Sequence, residues 1–173
     1  MAQHTRWARL SYQGRAVFGT LQGDELVVHT GDMFDAPVPT RESIALSEAT
    51  WLTPCLPSKM LAMWNNFHGA AKVNGWPEPA EPLYFAKTPN SFNAHLAPIP
   101  APWNYDGRVM YEGELGIVIG RTCTNVSRDD AAAHIFGYTC RGPHRRRCNG
   151  DRWHALPRRW RPSGLDAAPA QTS

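Results

Sequence analysis

Glu112 and Glu114 stand two residues apart in the run Tyr111-Glu112-Gly113-Glu114-Leu115-Gly116-Ile117-Val118-Ile119-Gly120, a segment that otherwise reads as a buried β-strand. Along a strand, residues i and i+2 point to the same face, so both carboxylates aim into one space. Two anions held that close raise each other's proton affinity unless a cation sits between them. Oxygen-only donors suit a hard divalent ion, Mg²⁺ or Mn²⁺, rather than zinc. The plainer alternative is an edge strand whose two glutamates face water, the default state of Glu. The apolar stretch after the pair weighs towards the metal site.

The elements that must position these carboxylates lie in a chain of 173 residues, the length of one domain or of a small domain joined to part of a larger one. No stretch approaches the length needed to span a bilayer, so no membrane partner is expected. The start, Met1 to Trp7, is polar and charged, without the apolar run of a secretory signal. Cys55, Cys123, Cys140 and Cys148 are irregularly spaced and make no disulfide framework, which points to a cytoplasmic location. The net charge of +3 hides a split. Residues 1–140 carry 10 Lys and Arg against 13 Asp and Glu, whereas residues 141–173 carry 8 Arg against Asp151 and Asp166.

Trp7 to Tyr12, Ala16 to Leu21 and Glu25 to His29 read as short strands, with Gly14 and Gly23-Asp24 as turns. Asp35-Ala36-Pro37 and Val38-Pro39 read as a break, followed by a connector to about residue 52. Lys59 to Trp64 is a strand candidate, and Asn65 to Gly75 a polar helical segment. Leu83 to Lys87 is a second strand and Thr88-Pro89-Asn90-Ser91 a turn. Asp106-Gly107 signals a hairpin ahead of the Glu112/Glu114 strand. Asn125 to Ala133 reads as a helix capped by Ser127, and Phe136 to Cys140 as another strand.

Three of these segments, taken in order, resemble the fumarylacetoacetate hydrolase family. They are Met63-Trp64-Asn65-Asn66-Phe67-His68; Pro82-Leu83-Tyr84-Phe85-Ala86-Lys87-Thr88-Pro89-Asn90-Ser91; and the block from Tyr111-Glu112-Gly113-Glu114 to Phe136-Gly137-Tyr138-Thr139-Cys140. The resemblance covers about residues 55–140 and is most specific over 82–140. It implies an α+β, mainly β fold: a small β-rich N-terminal domain over 1–52, then the first part of the family's mixed β-sheet fold over 53–140, with 141–173 as an Arg/Pro-rich tail.

The resemblance also implies chemistry. Members bind Mg²⁺ or Mn²⁺ through the Glu-x-Glu pair and a third carboxylate, and act on a 2-oxo or 1,3-dicarbonyl acid by hydrolysis, decarboxylation or isomerisation, as in the catabolism of aromatic compounds. The cation stabilises the enolate formed on the way. On this sequence Glu112 and Glu114 take the metal roles. His68 is the candidate general base, Lys87 a candidate for a substrate carboxylate, and Asn66, with Asn65 beside it, for substrate or metal-bound water. His68 follows Phe67 directly, where most members place two residues between aromatic and histidine. Either the base sits differently here or His68 is a surface histidine. Lys87 can equally be a strand-end lysine in water, and the asparagines can cap the next segment. Members of the family are usually homodimers.

After Cys140 the resemblance stops. Arg141-Gly142-Pro143-His144-Arg145-Arg146-Arg147 follows where the family has its third carboxylate, and proline neither ligates a metal nor donates to a strand ladder. Three readings are open for the tail: out-of-frame translation of a GC-rich gene, a basic arm for nucleic acid with Trp153 or Trp160 stacking on bases, or a zinc knot of Cys140, His144, Cys148 and His154. The first is preferred, so no nucleic-acid partner is expected, and the enzyme is expected to be impaired. A non-catalytic binding protein is the competing class.

Overall fold

The computed structural model describes residues 5–100, 109–111, 113–141, 144–146 and 165–167. It divides into two compact units, residues 1–54 with 94–173, and residues 55–93.

The first unit begins with an antiparallel meander of four strands: β1 (Arg6–Tyr12), β2 (Arg15–Gln22), β3 (Glu25–Asp32) and β4 (Asp35–Ala45). Gln13 and Gly14 both take positive φ, 48° and 77°, which is the requirement of a tight turn whose twist matches the strands it joins. A 3₁₀ turn, Leu46–Glu48, leads into β5 (Thr50–Trp51), which pairs with β1.

The prolines of β4 do not break it. Pro39 lies opposite His29 and Val38 opposite Thr30, and the ladder shifts register on both sides of that pairing. β4 is the outermost strand of its sheet, where a missing N–H has no neighbour to disappoint. At the irregularity, the Thr40 hydroxyl donates to the Val28 carbonyl at 2.9 Å. An interior strand could not carry Pro37 and Pro39 in this way, and an edge strand can.

In the second unit β6 (Met60–Trp64) pairs antiparallel with β7 (Leu83–Lys87), and between them lies α1 (His68–Asn74). Gly75 ends α1 in the left-handed conformation, its N–H on the Lys72 carbonyl, while the Trp76 N–H bonds the Ala71 carbonyl. The turn after β7 is a 3₁₀ element, Pro89–Ser91.

The remaining strands belong to the first unit: β8 (Val109–Tyr111), β9 (Glu114–Ile119), β10 (Ile135–Arg141), β11 (His144–Arg146) and β12 (Leu165–Ala167). The main sheet runs β4-β3-β2-β1-β12-β10-β9, and β8 pairs with β11. Between β9 and β10 the expected helix over 125–133 is instead a turn followed by a 3₁₀ element, Ala131–His134. Ser127 closes that turn onto Asp130: its Oγ accepts from the Asp130 N–H at 3.1 Å and donates to the Asp130 carboxylate at 2.6 Å. No apolar face spaced for a longer helix follows it, so the chain closes the turn and goes straight into β10.

The first unit has a core on each face of the meander. Ala8, Leu10, Val17, Leu26, Val28 and Ile44 form one, with Tyr12, Leu46 and Trp51 packed against it. Trp7 and Met33 form the other, joined by Phe18, Phe34, Val118 and Phe136. Period-2 alternation accounts for the split: Ala8 and Leu10 point one way from β1, Trp7 the other. Among the described residues no helix is long and apolar enough to cross a membrane.

Candidate functional site

Glu114 opens β9 and is half-buried. Gly116 and Val118 share its face, and Val118 reaches the Trp7/Met33 core. The opposite face carries Leu115, Ile117 and Ile119, exposed to 67%, 55% and 53%. Glu112, the other predicted metal ligand, lies outside the described residues, as do Cys148 and His154 of the possible zinc knot. Among the described residues no group of three His, Cys, Asp or Glu stands close enough to hold a metal ion. A single carboxylate leaves most of the six or more oxygen ligands of a hard divalent cation to water or substrate, and so makes a weak site. The described donors therefore do not by themselves fit Mg²⁺ or Mn²⁺.

The other three predicted site residues fall in the second unit. His68 is the first residue of α1 and is 87% exposed, with Nδ1 at 2.9 Å from the Glu78 Oε1, itself on a side chain 63% exposed. An ionised carboxylate only accepts, so the proton between them belongs to Nδ1. Sequence reasoning missed Glu78. It sits in Pro77-Glu78-Pro79, ten residues beyond His68, and no periodicity relates the two.

Lys87 closes β7 half-buried, its Nζ 5.1 Å from the centre of the Phe85 ring. The two side chains share a strand face and form a cation–π contact. Asn66 is exposed. Its neighbour Asn65 has the structural part: at φ 51° it turns the chain from β6 towards α1, and its Nδ2 donates to the Pro77 carbonyl at 2.8 Å. One step outwards the Trp64 and Trp76 rings pack 5.5 Å apart. The segment 64–78 is thus folded back on itself by three successive cross-links, Trp64 to Trp76, Asn65 to Pro77 and His68 to Glu78. No hydrogen bond or ion pair joins His68, Asn66 and Lys87 to one another.

A β-meander followed by a strand pair that carries a half-buried glutamate, together with a histidine at the start of a short helix paired to a glutamate beyond its end, defines a two-part β protein with acid–base groups on its second part. The sequence models share the boundary near residue 54, but the second of them runs across the compact unit 55–93 and on through β9 and β10 of the first unit. The N-terminal domain of Rv2993c-like proteins matches residues 5–54, and the fumarylacetoacetate (FAA) hydrolase C-terminal domain matches residues 59–141. The chain belongs to the fumarylacetoacetate hydrolase family. It is 35% identical over 133 residues to an uncharacterized protein of Archaeoglobus fulgidus, covering 76% of this chain and 49% of that protein. It is 32% identical over 127 residues to the oxaloacetate tautomerase YisK of Bacillus subtilis, covering 68% of this chain and 42% of the relative. A 2-hydroxyhepta-2,4-diene-1,7-dioate isomerase from Mycobacterium marinum superposes with a TM-score of 0.69 at 28% identity, over 81% of this chain and 54% of the isomerase. The chain spans about half the length of the relatives it matches. Those with a named activity are enzymes, a tautomerase and an isomerase.

Proposed function

We propose that this chain carries the proton-transfer chemistry of its family on a small 2-oxo or 1,3-dicarbonyl acid, with tautomerisation as the elementary step and hydrolysis or decarboxylation as related outcomes. The observation that supports it is the His68–Glu78 pair. With Nδ1–H held by the carboxylate, Nε2 is the basic atom and stands open to solvent. It takes a proton from the carbon beside the ketone, the electron pair moves onto the carbonyl oxygen, and return of the proton to that oxygen gives the enol. Glu78 stabilises the imidazolium formed in between. Lys87 offers its ammonium to the substrate carboxylate. Glu112 and Glu114 are the residues proposed to hold Mg²⁺ or Mn²⁺, which would supply Lewis-acid chemistry. The pair falls short of the oxygen donors such an ion needs, so an impaired enzyme is the reading, and a homodimer its proposed state.

The test is the keto–enol interconversion of oxaloacetate, followed by the absorbance of the enol with Mg²⁺ present. The intact chain should exceed the buffer rate, and His68→Gln should lose roughly 10²- to 10⁴-fold of the increment. A rate equal to buffer for the intact chain, over a range of acylpyruvates as well, would refute the reading.

A further inference from the structure

The hydrophobic pattern of β9 taken alone calls for the reverse of what is observed. Leu115, Ile117 and Ile119 are its large apolar residues, yet they face out, and Glu114, Gly116 and Val118 face in. Because the side-chain period of a strand is two, a slip of one residue would exchange the two sets and turn Glu114 to solvent. Something other than burial of the larger set must hold the observed register.

The contacts that do so converge on Phe136. It is the extra residue of a β-bulge in β10: Ile135 pairs with Ile119 and Gly137 with Val118, leaving Phe136 out of the ladder. A bulge re-aims the side chain it carries. The Phe136 ring lies edge-on to Phe34 at 4.8 Å between centroids and 6.0 Å from Trp7, both on the N-terminal meander. Directly beneath is Gly120. A Cβ there would stand 2.7 Å from the Phe136 Cβ and 3.3 Å from the Phe34 ring, so no side chain can occupy that place without moving both. Four residues back on the same face, a Cβ at Gly116 would stand 2.9 Å from the Thr139 Cγ2. Slipping β9 by one residue would bring Ile119 or Arg121 against the Phe136 Cβ and the edge of the Phe34 ring, where no side chain fits without displacing them.

We propose that Phe136, seated in the Gly120 notch and clamped by Phe34 and Trp7, is a positioning residue that pins the register of β9 and thereby keeps Glu114 on the inner face. The N-terminal meander is then the template for the acidic strand rather than an appended module. This inference goes beyond the proposed activity and does not depend on it.

Backbone NOEs on the isotope-labelled full chain read the register directly. In the parent, cross-strand contacts should link Gly116 with Thr139 and Ile117 with Tyr138. In Phe136→Ala and in Gly120→Ala these should disappear or shift by one residue, the Glu114 side-chain carboxyl carbon should move in the spectrum, and the β1–β2 and β2–β3 contacts should persist. Phe136→Leu should keep the parental set. The double variant Gly120→Ala/Phe136→Ala should not recover the parental contacts, because alanine at position 136 keeps the Cβ that a methyl at position 120 would meet at 2.7 Å. Unchanged β9–β10 contacts in both single variants would overturn the proposal. Loss of the β1–β2 and β2–β3 contacts in Phe136→Ala, with the same loss in Phe136→Leu, would overturn it too, since Phe136 would then be a general core residue.

Discussion

His68 Nδ1 lies 2.9 Å from Glu78 Oε1, a contact that joins the first residue of α1 to the turn between two prolines beyond it. Both side chains are more than half exposed, so the pair adds little to stability, as is general for solvated ion pairs. Its effect is on the ring: it fixes which nitrogen holds the proton.

If Glu78 acts through His68, Glu78→Ala should lower kcat while leaving KM and the melting temperature close to the parent's. Gln at the same position keeps an acceptor for Nδ1–H and should recover part of the loss. Steady-state kinetics on the three proteins, with a thermal melt of each, check this. A fall in melting temperature matching the fall in rate would mean Glu78 serves the fold instead.

Adjacent residues of β9 should respond oppositely to the same change. Ile117 is exposed on an edge strand, an invitation to pairing with other chains, so Ile117→Lys should reduce aggregation with little effect on unfolding. Val118 packs against the Trp7/Met33 core, and Val118→Lys should bury an unpaired charge and destabilise strongly. Light scattering and urea titration separate the two.

Leu10 and Leu26 are fully buried in the meander's larger core. Leu10→Ala or Leu26→Ala should lower the unfolding free energy by about 2–5 kcal/mol, the range for cavities left in packed interiors. Chemical denaturation followed by tryptophan fluorescence reads this, because Trp51 packs against that core.

Divalent-ion affinity should be poor. Titration of Mn²⁺ followed by electron paramagnetic resonance should give weak binding, further reduced by Glu114→Ala, as expected when site charge and ligand count are low. Tight stoichiometric binding in the parent would contradict this.

The sequence by itself determined the local elements whose signals are short-range. Alternation and turn residues place β1, β2 and β3, and Leu83 to Lys87 is strand from end to end, as its residues predict. Gly75 terminates α1 because a left-handed residue is needed there. The order of the three motif segments is enough to recognise the family.

What the tertiary structure decided depends on neighbours that are distant in sequence. Pro37 and Pro39 read as a break until β4 is seen to be an edge strand, where a missing donor leaves no partner unsatisfied. Ser127 closes a turn onto Asp130 instead of capping a helix, and with no apolar face to bury, the segment behind it forms only a 3₁₀ turn. His68 could be located from sequence and its partner Glu78 could not, since their contact comes from the fold-back of residues 64–78. The orientation of Glu114 is the sharpest case. The pattern of β9 alone favours burying Leu115, Ile117 and Ile119, and the choice is reversed by a ring on β10 held from the other side by Trp7 and Phe34. A two-residue period specifies that faces alternate, and only packing against another strand specifies which face is inside.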